Sequence, residues 1–168
     1  NVIWYDAKTG GFVSSTAFTE TYPSWAKTLG GPAAIEERRR APWTLLDRDW
    51  VASHAVTPDD AKGEGDFEGF GRTFPHVAKT PAAFKLMPAS DEAIVDLALA
   101  ALAAEHDPAQ PTLLLVSFSA HDIMSHVFGP DSWEYWDYLR RLDATLGRLI
   151  DGVEKKVGAA SFLLSADH

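Results

Sequence analysis

Between Thr112 and Ala166 the chain carries two short, continuous apolar runs separated by one long stretch of helical periodicity. Few folds accommodate that pattern. The first run, Thr112 to Phe118, follows the helix-stopping residues Pro108 and Pro111 and shows no polar alternation. Such a run is expected of a parallel strand covered on both faces. Leu139, Leu142, Leu146, Leu149, Ile150, Val153 and Val157 then recur at helical spacing, and Gly158 supplies a natural stop. Ala160 to Ala166 reads as a second buried strand. Strand, long helix, strand is a βαβ unit, in which the strands are parallel and the crossover right-handed. The expected fold class is α/β, a partial α/β/α sandwich with a mostly parallel sheet and a loop-rich insert.

Local signals place the other elements. Ser90 is expected to cap a helix whose first turn holds Asp91 and Glu92, with Ile94, Leu97, Ala98, Ala101 and Leu102 on one face. Asp131 with Glu134 three residues on resembles a capping box, and a polar loop holding Asp122 and His126 is expected just before it. At the other end, Val2–Tyr5 and Phe12–Val13 flank a turn-like Asp6–Gly11 segment, which predicts a hairpin. Residues 16 to 88 are punctuated by Trp, Pro and Gly, with a short helix opening at Pro32. The Arg38-Arg39-Arg40 run on it reads as a solvated face, and Gly63–Gly71 reads as a surface loop. Residues 1–88 are thus a hairpin and loop-rich insert, and 89–168 the βαβ half, of one domain. Asn1 without an initiator Met, and a chain stop at His168 directly after a predicted strand, mark both ends as expected truncations.

Composition narrows the chemistry. With 168 residues, 46% hydrophobic and 23% charged, the chain has the make-up of an ordinary globular domain. A net charge of −9 argues against a nucleic-acid backbone or an anionic membrane surface as partner. A phosphate-bearing substrate stays possible, because bound dications reverse the local field. No apolar run reaches the roughly 18 to 20 residues of a membrane-spanning helix. With no cysteine, any metal must be held by His and carboxylates.

Both predicted strands end in polar clusters, Ser119 to His126 after the first and Asp167-His168 after the second. In open α/β sheets ligands bind beyond the carboxyl ends of the strands, so both clusters are expected to face one crevice. Asp122, His126, Asp167 and His168 are therefore candidate metal ligands, of the oxygen and nitrogen type that zinc and similar ions accept. The competing reading is a polar strand terminus with a capping Asp and a hydrogen-bonded His. His121 is a candidate contact to a ligand or to the substrate. His76 reads as a loop residue satisfied by backbone, His54 and His106 as surface residues, and Ser14-Ser15-Thr16 as an ordinary hairpin end. Trp133, Tyr135, Trp136 and Tyr138 read as packing.

At these residues the sequence resembles a known family. Ser117 to Asp122, His126, Phe128-Gly129-Pro130, Ser132, Glu134, Asp137, Leu139–Asp143 and Ser165–His168 look like the metal-binding half of alkaline phosphatase superfamily enzymes. The nearest resemblance is to phosphate-irrepressible, monomeric bacterial alkaline phosphatases. Trp4-Tyr5-Asp6, Thr9-Gly10, Val13-Ser14-Ser15 and Phe74-Pro75-His76 support it. The resemblance implies two zinc ions, with Asp122 and His126 on one and Asp167 and His168 on the other. It also implies hydrolysis of a small-molecule phosphate monoester through a covalent phospho-Thr or phospho-Ser, and a periplasmic or secreted location. The nucleophile, a further His and a further Asp would come from segments outside the chain, so these 168 residues alone are expected to be inactive. Two departures stand out: Ser125 where the family usually has Gly, and Ala82-Ala83 where Gly-containing variants are common. The alternatives are a phosphodiesterase or nucleotide pyrophosphatase of the same superfamily, and a non-catalytic α/β domain.

Overall fold

A computed structural model describes residues 1–166. The predicted hairpin forms as β1 (Trp4–Asp6) and β2 (Gly11–Val13), paired antiparallel with Tyr5 opposite Phe12. Asp6 closes the turn, its carboxylate accepting from the Lys8 and Thr9 amides. Helices α1 (Ser24–Gly30), α2 (Pro32–Arg40) and α3 (Arg48–His54) follow. Pro32 occupies the first turn of α2, where a missing amide hydrogen is harmless.

Two long helices organise the rest. α4 (Pro88–Glu105) packs against α1 on one side and α6 (Trp133–Val157) on another. That sandwiching buries Ala93 and Val95 as well as the expected Leu97, Ala98 and Leu102. Gly152 sets the closeness of the α4–α6 crossing, because a Cβ there would lie 2.6 Å from a Leu99 methyl. Gly158 ends α6 with φ +82°, as its position predicts.

Several expectations change. α4 starts at Pro88, so Ser90 is no cap; it sits inside the first turn and its hydroxyl donates to the Met87 carbonyl at 2.8 Å. α6 is capped by Ser132, not Asp131, with the Ser132 hydroxyl accepting from the Tyr135 amide. The segment expected as a polar loop is a helix, α5 (Ala120–Phe128). The Arg38–Arg40 run is not simply solvated: Arg38 pairs with Asp96 at 2.5 Å and Arg39 donates to the Ala78 carbonyl at 2.6 Å.

The loop-rich insert is anchored on the first turns of α6. Glu134 Oε1 meets His76 Nε2 at 2.8 Å, both residues fully buried. One turn on, Asp137 accepts from Trp43 Nε1 at 2.6 Å, the Leu46 amide at 2.7 Å and Arg141 Nε at 2.7 Å. Trp43 and His76 exchange backbone hydrogen bonds of 2.8 and 3.0 Å, and Phe70 stacks on the His76 ring at 4.6 Å. His76 is therefore a core residue held by a side chain 58 positions away, not a loop histidine satisfied by backbone. The Gly63–Gly71 loop likewise sends Phe70 into the core.

The predicted parallel strands are unpaired among the described residues. The sheet found there is the β1–β2 hairpin. Residues 112–118 carry no ladder, and Leu113 and Leu115 are each 83% exposed. Leu114, Val116 and Phe118 alternate with them and are half-buried, so the segment keeps the two-residue period of a strand with one face covered. Residues 161–166 are exposed throughout. An apolar run records a need for cover, but a strand forms only where a neighbour accepts its backbone groups.

Candidate metal centre

α5 turns the 119–126 cluster into geometry. Ala120, Met124 and Phe128 recur every fourth residue and are buried. Positions two residues off that stripe lie about 200° round the helix, so Asp122 and His126 face outward, one above the other. Their side chains are partly to largely exposed, and His126 Nε2 lies 3.3 Å from Asp122 Oδ1. Gly129, with φ +88°, ends the helix. Ser125 sits inside α5, where φ is negative, and its hydroxyl donates to the His121 carbonyl at 2.6 Å. The serine in place of glycine therefore introduces no backbone strain.

The donor set suits zinc. A carboxylate oxygen and an imidazole nitrogen each about 2.0 to 2.1 Å from a tetrahedral ion stand about 3.3 Å apart, which is the separation in α5. Among the described residues no group of three or more His, Asp or Glu side chains converges on such a point. Asp167 and His168, the other two candidate ligands, lie outside the described residues.

Sequence reasoning did not find the buried pair beneath the start of α5. Ser119, its N-cap residue, makes no side-chain cap. Asp91 of α4 and Tyr138 of α6, 2% and 1% exposed, meet beneath that helix end, and the Tyr138 hydroxyl donates to Asp91 Oδ2. The Ser119 and Ala120 amides lie near the Asp91 carboxylate, whose Oδ1 is buried without a hydrogen-bond partner among the described residues. Asp91 was legible only as a first-turn acid of α4. His121 packs beside Tyr135 and Tyr138, at ring distances of 4.9 and 5.7 Å, and burial lowers its pKa against the pull of Asp122.

Burial pushes the Asp91 carboxyl up to about 6, with the Tyr138 hydroxyl and the two amides opposing it. A raised carboxyl pKa favours the protonated fold, so its contribution is full below the unfolded value of 3.8 and is lost as pH rises through about 6. Asp91→Asn does not titrate. From pH 4.5 to 7 the wild type is expected to lose about 2 kcal/mol of stability relative to that variant. Urea unfolding of both at the two pH values checks this; a constant difference contradicts it.

Comparison with known proteins follows the same line. The family model described as type I phosphodiesterase / nucleotide pyrophosphatase matches residues 1–168. Alkaline phosphatase PhoV of Synechococcus elongatus is 31% identical over 181 residues, covering 98% of this chain and 32% of PhoV. Alkaline phosphatase PafA of Elizabethkingia meningoseptica is 28% identical over 182 residues, covering 98% of this chain and 32% of PafA. The crystal structure of wild-type alkaline phosphatase PafA matches with a TM-score of 0.79 at 24% identity, over 93% of this chain and 32% of that one. The chain spans about a third of the length of these relatives. Its fold is the corresponding part of the alkaline phosphatase α/β fold, here helices with a small sheet.

Proposed function

The chain belongs to the type I phosphodiesterase / nucleotide pyrophosphatase family, a family of phosphoric ester hydrolases within the alkaline phosphatase superfamily, and on that premise we propose that it supplies half of a two-zinc hydrolytic centre. Asp122 and His126 ligate one ion, and Asp167 and His168 the other. The observation that carries the reading is the outward pair on α5, an oxygen and a nitrogen donor 3.3 Å apart. An i,i+4 ion pair on a polar helix face gives the same separation, so the zinc reading rests on the donor chemistry together with the family.

Zinc, when bound, supplies positive charge where the apical oxygens of a phosphoryl group accumulate negative charge. The chain's own part is presentation. The apolar stripe of α5 fixes the rotation of the helix, and Asp122 in its first turn also complements the helix dipole. The nucleophile, a phosphorylatable Thr or Ser, and the remaining ligands come from outside these 168 residues. The substrate is a small-molecule phosphate monoester, by the alkaline phosphatases among the relatives. The net charge of −9 disfavours a nucleic acid. Among the described residues no helix is long and apolar enough to cross a membrane. The full-length protein acts in the periplasm or outside the cell. A second reading, diester or pyrophosphate hydrolysis, is favoured by the description of the matching family.

The test is hydrolysis of p-nitrophenyl phosphate and of bis-p-nitrophenyl phosphate by the full-length protein, stripped with a chelator and then given zinc. Zinc-restored activity, faster on the monoester, is expected. Faster diester cleavage selects the second reading. Equal activity in the stripped protein sinks both.

A further inference from the structure

We propose that the backbone amide of Gly65, carried on the insert loop, is a positioning group for the metal centre: it caps the last turn of α5 through the Val127 carbonyl and so fixes the adjacent His126. The positioning role rests on the zinc reading above; the cap itself does not.

A helix leaves its last four carbonyls without intrahelical donors. In α5 these belong to residues 125–128. The Ser125 carbonyl is satisfied locally, by the Gly129 amide at 2.8 Å, but the Val127 carbonyl accepts from a remote segment, the Gly65 amide, also at 2.8 Å. The approach is close without requiring glycine: a Cβ at position 65 would lie 3.5 Å from Val127 Cγ1 and 3.6 Å from the Val127 oxygen, which are ordinary contacts. The loop is braced on both sides of that amide. Before it, Ala61 and Glu64 close a turn, the Glu64 amide donating to the Ala61 carbonyl at 3.3 Å and Glu64 Oε2 accepting from the Ala61 amide at 3.0 Å. Arg72 reaches back to the same turn, donating to the Ala61 carbonyl at 2.7 Å and pairing with Asp60 at 2.6 Å. After it, Phe67 packs against the core and Phe70 lies within it. The brace at Ala61 involves no residue of α5, so it can be cut without touching the helix.

The consequence is mechanical. α5 is short and enters from a segment without ladder pairing, residues 112–118. Its apolar stripe of Ala120, Met124 and Phe128 sets which face points outward, but such a stripe only weakly opposes sliding along the helix axis. A directional bond to the last turn opposes it strongly. Val127 is half-buried and His126 beside it is exposed, so pinning the carbonyl of one fixes the backbone that presents the other. Groups that orient metal ligands from behind are commonly worth 10- to 100-fold in affinity.

Hydrogen exchange and zinc affinity of the full-length protein test this in separate arms. Gly65→Pro removes the amide hydrogen, Gly65→Ala keeps it, and Arg72→Ala cuts the brace while leaving donor and helix intact. In the zinc-free protein, Gly65→Pro and Arg72→Ala are expected to speed exchange of the Gly129 amide, which closes the same helix end, by about 3- to 10-fold, the worth of one hydrogen bond. In Arg72→Ala the Gly65 amide is expected to lose protection as well. In a zinc titration both variants are expected to weaken binding by about 10-fold or more, and Gly65→Ala to stay near wild type in both arms. Val51→Ala, a truncation of a fully buried residue of α3, is the control for general loosening and is expected to move neither. The cap is overturned if Gly65→Pro and Arg72→Ala leave exchange unchanged, or if Gly65→Ala or Val51→Ala shifts it equally. If exchange responds but zinc binds all variants alike, the positioning role is overturned and the zinc reading stands. If wild-type protein takes up no zinc, the zinc reading fails and the positioning role with it, and the exchange arm still decides the cap.

Discussion

Replacing Glu134 by Ala is expected to destabilise the protein by about 2 to 4 kcal/mol, the cost of leaving a buried hydrogen-bonding group unsatisfied together with the cavity left behind. Glu134 and His76 are both fully inaccessible, and their 2.8 Å contact joins α6 to the loop-rich insert. The truncation leaves a buried imidazole nitrogen without its acceptor and a cavity beside the Phe70 ring that stacks on it. The stacking partners Phe70, Phe74 and Phe128 offer that nitrogen no replacement acceptor. Glu134→Gln keeps an acceptor oxygen at nearly constant volume and should lose much less. Glu134 Oε2 is buried without a hydrogen-bond partner, so the native pair already carries an uncompensated desolvation. A double replacement by apolar residues of similar size is therefore expected to lose less than either single truncation. Chemical denaturation reads the totals, and proteolysis within residues 59–80 reports whether the insert opens first. A Glu134→Ala protein within about 1 kcal/mol of wild type contradicts this account of the insert.

Asp122→Ala and His126→Ala are expected to do the reverse: little to stability and much to the metal. Both residues lie on the outward face of α5, and an exposed pair of this kind contributes about 0 to 1 kcal/mol. Each substitution removes a direct ligand, so zinc affinity is expected to fall by about 100-fold or more, at or beyond the effect of supporting residues. Hydrolytic activity of the full-length protein should fall with occupancy and return only partly at excess zinc. Parallel losses in stability and activity would assign the pair a structural role.

The contrast between these two sites explains what the sequence disclosed. Repeating patterns were legible: the hairpin around Asp6–Gly11, the long helix ending at Gly158, the helix start at Pro32. Asp122 and His126 were legible as chemistry, but their helix was read as a polar loop, although Ala120, Met124 and Phe128 carry the every-fourth-residue signal. The run at 112–118 was legible as a continuous apolar strand covered on both faces, whereas the structure covers one face only, with Leu113 and Leu115 exposed, and its ladder partners are not set by the run. Pairings between distant residues left no trace. His76 with Glu134, Trp43 with Asp137 and Asp91 with Tyr138 join positions 47 to 94 residues apart. Neither partner advertises the other, because a buried carboxylate and an exposed one look alike in sequence. Cap choices failed for a smaller reason: α4 already begins at Pro88, with Met87 at its N-cap position, and Ser132, next to Asp131, caps α6.

The central claim, that the outward face of α5 holds zinc, is tested most directly by X-ray absorption at the zinc edge of the zinc-loaded full-length protein and of its His126→Ala and Asp122→Ala variants. The account predicts nitrogen and oxygen neighbours at about 2.0 to 2.1 Å, with an imidazole outer-shell signal that weakens in His126→Ala, and lower zinc content in both variants. Spectra and zinc content unchanged in both variants would place the metal elsewhere and contradict it.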